Sequence, residues 1–302
     1  MTVSPQGAFD ADPLGEIAMV APPPGPLREA WRMFRRNGAA VAGLLVLLCI
    51  IAITLLGPSI YRVDPFDLVS TPLLPPGDPD APLGTDYIGR DILAGIIVGG
   101  RASLLVGATA ATLTMAIGVV IGALAGFYGG RVDRLLMRLT EFFQVLPPLL
   151  LAMTLVTLFS PSLVTIAVSI GVVSWTGAAR LTRAEFLRIR ELEYVRAARS
   201  IGARHRHLIW RVILPNALPP LIVSATLAVG VAILFESGLS FLGLGDPNVM
   251  SWGLMIGGNR QYMLDAWWAA TIPGIAIFLT VLSISLIGDG LNEAFNPRLR
   301  ER

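Results

Sequence analysis

Six long apolar stretches constrain this chain more than any other feature of its sequence. They occupy 38–57, 102–127, 142–159, 163–181, 216–239 and 267–291. An α-helix of about 20 residues crosses the hydrocarbon core of a bilayer, where backbone polar groups must pair within the segment. A mean hydropathy of +0.68 and a charged fraction of only 15% agree with lipid as the solvent. We therefore predict an all-α membrane protein with six transmembrane helices.

The arginines are distributed unevenly between the two ends of these helices. All 23 basic residues are arginines, since the sequence contains no lysine. If the N-terminus is cytoplasmic, 19 of the 23 lie in cytoplasmic segments, and only Arg62, Arg90, Arg101 and Arg260 lie outside. Basic residues accumulate in the cytoplasmic loops of membrane proteins. The sequence therefore predicts that both the N- and C-termini are cytoplasmic.

Several chemistries are excluded by the composition. Without lysine the chain cannot form a Schiff base with a substrate or build the P-loop of an ATPase. Its single cysteine, Cys49, cannot form an intrachain disulfide. His205 and His207 are two residues apart and point to different faces of a helix, so they are a poor pair of metal ligands. We expect no enzyme activity, no metal and no cofactor in this chain.

The polar segments between the apolar stretches define the organisation of the chain. We predict a disordered cytoplasmic tail at 1–25, an interfacial helix with the first span at 26–57, and an extracytoplasmic loop at 58–101 that is long enough to meet an external partner. Five further spans form a core at 102–291, which includes a cytoplasmic loop at 182–217, and a cytoplasmic tail follows at 292–302.

Two features lie in and beside the second span. The end of the preceding loop alternates apolar and polar residues, which predicts a short interfacial helix before Gly99 and Gly100. Within the span, small residues recur at every fourth position, at Ala110, Thr114, Gly118, Gly122, Gly126 and Gly130. Small residues let helices approach closely in lipid. We interpret the stripe as a surface for close helix packing, with a sliding interface between moving subunits as the alternative.

The segment at 182–217 is too polar for lipid and carries the most specific pattern. Its acidic start, basic later turns and terminal glycine predict a short helix from Glu193 to Ile201 that stops at Gly202. Alanines at the middle of this helix would let the groove of another protein close tightly around it. A second amphipathic turn follows, and Pro215 is predicted to mark the entry to the fifth span, where its missing N–H costs least.

The spacing of Ala197, Ala198, Gly202, Leu214 and Pro215 resembles the EAA loop of ABC importer permeases. Other blocks resemble the C-type subunit of the dipeptide and oligopeptide permeases within that family. These blocks read LGTDYIGRDILAGIIVGGRASLLVG from 83, AGFYGGRVDRLLMRL from 125, ESGLSFLGLGDPNVMSWG from 236 and GDGLNEAFNPRLR from 288. The resemblance covers about 26–302.

The resemblance implies the type I ABC importer permease fold, in the cytoplasmic (inner) membrane of a prokaryote. It implies a heterodimer with a homologous B-type permease, two ABC ATPase subunits that bind ATP and magnesium, an extracytoplasmic substrate-binding protein, and no nucleic acid partner. It favours import of di- or oligopeptides, with nickel, glutathione and oligosaccharides as alternatives. It assigns ATPase coupling to Glu193, Tyr194, Arg196, Ala197, Ala198, Ile201, Gly202, Leu214 and Pro215.

Two positions depart from the usual pattern of that loop. Arg196 stands where the namesake glutamate usually is, so we expect a contact with the ATPase to be rearranged or taken over by Glu193. Val212 replaces the usual isoleucine, a change of similar volume that the fold should tolerate.

Glu236 lies near the outer end of the fifth predicted span, where burying a charge is costly. We treat Glu236, Phe241 and Leu242 as candidate gate or pore residues, with a structural hydrogen bond and loop anchoring as the alternatives. A secondary transporter, the other class of transport protein, would show inverted repeats or charged residues deep in several spans. The sequence shows neither.

Overall fold

The computed structural model describes residues 26–295, with side chains from residue 29 onward. The predicted tail at 1–25 and the last seven residues of the tail at 292–302 lie outside the described residues. The described chain is helical apart from its loops, which contain two isolated β-bridges, Leu68 with Arg90 and Thr85 with Asp91. The prediction of an all-α protein is confirmed.

The helices of the described residues are α1 (Pro26–Arg36), α2 (Gly38–Ile60), α3 (Ile92–Tyr128), α4 (Gly130–Val145), α5 (Pro148–Phe159), α6 (Leu163–Arg190), α7 (Glu193–Ser200), α8 (His205–Phe241), α9 (Trp252–Asn259) and α10 (Trp267–Phe295). A π-helical turn at Leu208–Ile213 lies within α8, and a single 3₁₀ turn at Arg260–Tyr262 follows α9.

Five helices, α2, α3, α6, α8 and α10, are long and apolar enough to cross a membrane. The third predicted span at 142–159 is not one straight helix, because α4 and α5 meet at an angle of 85°. Leu146 and Pro147 have extended backbones, and Pro148 has no N–H with which to continue the hydrogen bonds of α4. The bent pair supplies the sixth span if its two helices are counted together.

The start of α3 corrects a second prediction. The short helix expected before Gly99 and Gly100 does not exist separately, because α3 runs unbroken from Ile92. The Asp91 carboxylate caps its first turn by accepting a hydrogen bond from the Leu93 N–H at 2.8 Å. Gly100 lies inside the helix, where a Cβ would come within 2.1 Å of the Thr54 side chain. These glycines therefore permit packing and do not end a helix.

The small-residue stripe of α3 packs on α6. A Cβ on Gly118 would lie 2.4 Å from the Cβ of Ala178, and a Cβ on Gly122 would lie 2.3 Å from the carbonyl oxygen of Ala179. Only glycine allows the two backbones to approach this closely. The prediction of close helix packing is confirmed for the part of the stripe within α3, whereas Gly130 is exposed and begins α4.

The first two helices, α1 and α2, pack against the last helix, α10. The Phe34 side chain of α1 is buried beside Ala294, and Asn37 Nδ2 donates a hydrogen bond of 2.6 Å to Glu293 Oε2. Further along α2, a Cβ on Gly43 would come within 2.9 Å of the Leu286 Cβ. Both described ends of the chain therefore lie on one side of the helix bundle. We call it the terminal side, and the opposite side, which carries the loop at 61–91, the loop side.

The loop at 61–91 is ordered by internal hydrogen bonds and by contacts with its neighbours. The Asp86 carboxylate accepts hydrogen bonds from the backbone N–H groups of Ile88 and Arg90, at 2.9 and 2.8 Å. The Tyr87 N–H donates to Asn259 Oδ1 of α9 at 3.0 Å. The loop therefore presents a defined surface on the loop side of the molecule.

Candidate functional site

The helix α7 forms the centre of the segment that the sequence singled out. It ends in a Schellman motif, in which the Ala203 N–H donates to the Ala198 carbonyl at 3.1 Å and the Gly202 N–H donates to the Arg199 carbonyl at 3.0 Å. Gly202 has a φ of +85°, in the left-handed region that favours glycine. The predicted helix and its glycine stop are confirmed, with the end at Ser200, one residue earlier than predicted.

One face of α7 is anchored in the protein. Val195 is fully buried in a cluster with Phe127 of α3, Phe186 of α6 and Ile209 of α8. Ala198 packs against the same cluster and is partly buried. Because the cluster joins three membrane-crossing helices, α7 is held rigidly to the ends of all three on the terminal side.

The other faces of α7 are open. Tyr194 and Ile201 are 45% and 86% exposed, and Glu193, Arg196 and Ala197 are exposed as well. Leu192, which was not among the predicted site residues, adds an apolar side chain that is 40% exposed just before the helix begins. Leu192 could have been recognised in the sequence as a large apolar residue in an otherwise polar loop. The segment thus combines a buried anchor with an exposed surface that is partly apolar.

Arg196 is paired within its own chain. Its Nη2 donates to Glu191 Oε2 at 2.8 Å, and Glu191 Oε1 accepts a second hydrogen bond from Arg190 Nε at 3.1 Å. These two hydrogen bonds, with that from Arg196 the stronger, lower the pKa of the Glu191 carboxyl. Arg190 also donates from Nη1 to the Gly126 carbonyl at 2.8 Å. The chain of contacts connects α7 with the ends of α6 and α3.

A second ion pair connects α4 with α6 near the same end of the bundle. Arg183 Nε and Nη2 lie 2.5 and 2.7 Å from the two oxygens of the Asp133 carboxylate, in a bidentate arrangement. Neither residue was assigned a role from the sequence, because they are separated by 50 positions and by the whole of α5.

Pro215 lies in the first turn of the α-helical stretch Leu214–Phe241, in agreement with the prediction, although helix α8 as a whole begins earlier, at His205. The π-helical turn at Leu208–Ile213 ends two residues before the proline, whose missing N–H leaves a carbonyl of this turn without its helical donor. The Asn216 side chain donates from Nδ2 to the Val212 carbonyl at 2.6 Å. Leu214 is partly buried in the cluster around Val195, and Pro215 is exposed. The segment from α7 into the membrane is therefore continuous helix after a single turn.

Glu236 lies in the protein interior, 1% exposed. Its Oε1 accepts hydrogen bonds from the hydroxyls of Ser240 and Ser251, at 2.9 and 2.8 Å. The Ser103 hydroxyl lies 3.4 Å from Oε2 and accepts from the Trp252 N–H at 3.2 Å. The carboxyl group thus joins α3, α8 and the start of α9, in agreement with the structural hydrogen bond considered as an alternative to a gate.

Phe241 and Leu242, the other two candidate gate residues, lie at the loop-side end of α8. Their side chains are 40% and 47% exposed. The Phe241 carbonyl accepts a hydrogen bond from Arg260 Nη1 at 2.9 Å, so the backbone at this point is held to the turn after α9. The two apolar side chains therefore project from a fixed backbone, and a gate role for them stays a prediction.

Comparison with known families agrees with this arrangement. Residues 118–301 match the family described as binding-protein-dependent transport system inner membrane component. The chain belongs to this permease family. Residues 25–76 match the N-terminal TM domain of oligopeptide transport permease C. The protein is therefore a multi-pass permease subunit of a bacterial inner-membrane ABC importer, a class that works in a complex with ATPase and permease partners.

Relatives cover nearly the whole chain. The di/tripeptide transport system permease of Pseudomonas aeruginosa is 40% identical over 284 residues, which are 92% of this chain and 94% of that protein. The dipeptide transport system permease of Haemophilus influenzae is 38% identical over 295 residues, 95% of this chain and 100% of that one. The glutathione transport system permease of Pectobacterium atrosepticum is 37% identical over 277 residues, 91% and 92% of the two chains.

A solved structure shares the fold. A chain of the MetNI methionine ABC transporter, in inward-facing conformations, superposes with a TM-score of 0.53. The match covers 67% of this chain and 96% of that chain, at 19% sequence identity. The prediction of an ABC importer permease fold is confirmed.

Proposed function

We propose that this permease imports di- or oligopeptides and that α7 couples its movement to ATP hydrolysis on partner subunits. The observation that carries the proposal is an exposed helix on a buried anchor. Val195 is fully buried, whereas Ile201 is 86% exposed at the end of the same helix. An exposed apolar side chain on a rigid helix suits insertion into a cleft of another protein.

Movement of α7 would reach the membrane through the cluster around Val195. Phe127, Phe186 and Ile209 belong to α3, α6 and α8, and close-packed side chains of this kind transmit displacement instead of absorbing it. The pairing of Arg196 with Glu191 adds a polar connection to the end of α6. Closure of a partner pair around α7 would thus rock these helices together between inward- and outward-facing states.

The energy source lies in other chains under this proposal. Two ABC ATPase subunits would bind ATP and magnesium on the terminal side, which the arginine distribution places in the cytoplasm. A nucleotide-binding P-loop requires lysine, and this chain has none. The permease itself is proposed to have no catalytic residues and no cofactor.

Two further partners complete the proposed complex. A homologous B-type permease would form the other half of the pore, and an extracytoplasmic binding protein would deliver substrate to the loop side, where the ordered loop at 61–91 lies. Phe241 and Leu242, at the loop-side end of α8, would contribute to an apolar seal. We do not assign a gate role to Glu236, because its carboxyl group is occupied by serine hydroxyls in the interior.

Peptide is the proposed substrate because relatives at 40% and 38% identity are named as di/tripeptide and dipeptide permeases. Glutathione, which is itself a modified tripeptide, is a second candidate, supported by the relative at 37% identity. Mass spectrometry of the small molecule that co-purifies with the partner binding protein distinguishes the two. A nickel ion or an oligosaccharide there would contradict both.

The coupling role is tested with Ile201→Asp in the complete complex reconstituted in vesicles. We expect the variant to insert normally but to lose both ATPase co-purification and peptide uptake, because a charge would enter an apolar cleft. Ile60→Asp is the matched control, since Ile60 is 84% exposed at the opposite end of the bundle. Normal uptake by the Ile201 variant would contradict the proposal.

A further inference from the structure

An apolar groove opens on the membrane face of the protein between α2, α3, α8 and α10. Its volume is about 1020 Å³, and its walls include Leu47, Leu105, Ile222 and Ile284. Besides Thr54, Thr226 and Arg101, its lining is apolar. The groove opens beside α2, a peripheral helix with Leu45, Leu48, Leu55 and Leu56 more than half exposed. Its opening lies beside this exposed apolar surface, which suits contact with acyl chains.

Arg101 lies in the wall of this groove, towards the loop side. Its Nε donates to the Thr54 carbonyl and its Nη2 to the Leu55 carbonyl, both at 2.8 Å. Pro58, four residues after Thr54, has no N–H, so the Thr54 carbonyl lacks its helical donor and Arg101 replaces it. These two hydrogen bonds fix the guanidinium against α2.

The third nitrogen of the guanidinium, Nη1, has no hydrogen-bond partner among the described residues. Among residues 26–295, no hydrogen bond reaches Arg101 Nη1 and no acidic side chain pairs with Arg101. A charged side chain at membrane depth is costly and pairs with an opposite charge or with backbone carbonyls. The guanidinium is thus a fixed, exposed cation that can still accept an anion, at the edge of an otherwise apolar surface.

The dimensions of the groove fit one leaflet of a bilayer. Thr54 is six residues before the loop-side end of α2, so Arg101 is anchored roughly 9 Å below that end. From Leu55 to Leu47 the α2 wall of the groove extends about 12 Å further towards the terminal side. Half of the hydrocarbon core measures about 15 Å. An acyl chain of the loop-side leaflet would fill this length.

We propose that the groove binds a phospholipid of the loop-side leaflet, with its phosphate on Arg101 and an acyl chain along the apolar wall. The charge of the phosphate complements the unpaired guanidinium nitrogen, and the chain covers apolar surface that no described residue covers. Such a lipid would hold the peripheral helix α2 against α3 and α8. The inference does not rest on the proposed substrate or on the orientation of the protein.

The complete transporter complex is reconstituted in vesicles of phosphatidylethanolamine and phosphatidylglycerol and then extracted again with detergent. Native mass spectrometry measures the phospholipid that the complex retains. Ala108→Phe fills the groove without changing its charge, and Arg101→Gln removes the phosphate partner. We expect both variants to lose a phospholipid that the wild type retains. Ala116→Phe, an exposed alanine of α3 outside the groove, is the control and should retain it.

Two results would overturn the proposal. Retention of the same phospholipid by Ala108→Phe would show that the groove does not hold it. Loss of the partner permease from Ala108→Phe, with phospholipid retention unchanged, would show that the groove is a subunit interface. Because Arg101→Gln also frees two carbonyl groups, the groove-filling variant decides the test, provided that it elutes and melts like the wild type. Neither ATP nor peptide is present, so the result is independent of the proposed function.

Discussion

Arg196 Nη2 lies 2.8 Å from Glu191 Oε2, so the arginine at the position where an EAA loop usually has glutamate is paired with a carboxylate of its own chain. The Glu191 carboxylate with which it pairs lies two residues before α7 begins, at the end of α6. The exposed surface of α7 therefore carries less net positive charge than its two arginines suggest, and Glu193 stays free to meet a basic partner.

The first prediction concerns this pair and its pH dependence. The pKa of Glu191 is lowered in the folded protein, so the pair is fully present above the ordinary value of 4.5 and is lost as the pH falls through the lowered value. Glu191→Gln should increase exchange of the α7 amides at pH 7, by no more than about fivefold because the pair is exposed. Loss of the pair at acid pH should increase exchange of these amides in the wild type, and this increase should be absent in Glu191→Gln. Hydrogen exchange with mass spectrometry measures both effects. Glu185→Gln, which breaks only the pair of Glu185 with Arg188 within α6, should leave these amides unchanged.

The second prediction concerns the turn after α7. A Cβ on Gly202 would meet nothing within 4 Å, so a substitution there acts only through the backbone, whose φ is +85°. The cost for a β-branched residue is about 1–2 kcal/mol or more, and asparagine tolerates this region better. We expect Gly202→Val to reduce uptake in vesicles strongly without affecting membrane insertion, and Gly202→Asn to retain most of it. Equal activities of the two variants would show that the left-handed turn is not required.

The third prediction compares one substitution at two glycines. Gly122→Ala places a Cβ 2.3 Å from the Ala179 carbonyl oxygen, so α3 and α6 must move apart. We expect a loss of about 1–3 kcal/mol in the free energy of unfolding, seen as a lower melting temperature in detergent. Gly177→Ala, in α6, meets nothing within 4 Å and should melt at the same temperature or slightly higher. Equal melting of the two variants would contradict the close packing of the stripe.

The fourth prediction separates a structural role for Glu236 from a gate. Glu236→Ala removes the acceptor of the Ser240 and Ser251 hydroxyls in the interior, which should cost about 1–3 kcal/mol of stability. Leu242→Ala, at a side chain that is 47% exposed, should leave the melting temperature unchanged. If Glu236→Ala instead changed transport and kept full thermal stability, the carboxyl group would act in the pathway.

Hydropathy was sufficient to find the membrane-crossing helices, because length and apolarity are properties of each stretch by itself. It missed the bend between α4 and α5, since an average over a window hides the effect of Pro147 and Pro148 on the backbone. Both prolines are visible in the sequence and could have been used. The same kind of local signal, a glycine after an amphipathic turn, predicted the end of α7 to within one residue.

Pairings between distant residues could not be predicted in this way. The contact of Arg183 with Asp133 depends on how α4 lies against α6, and the contact of Arg101 with the Thr54 carbonyl depends on a proline in another helix. Glu236 was recognised as unusual from its position, but its serine partners come from three separate segments. Only Ser240, four residues after Glu236 on the same helix, follows from spacing along the chain; the other partners are chosen by tertiary packing.

The packing of the first helices on the last has a consequence for biosynthesis. Only Ala40, Gly43 and Thr54 are buried in α2, and the first two lie against α10, the last described helix to leave the ribosome. Until α10 is inserted, α1 and α2 lack the partner for these contacts and remain in the bilayer without them. A chain truncated before α10 would therefore lack the partner of α1 and of the first half of α2, and α2 would keep the contacts of its loop-side end with α3.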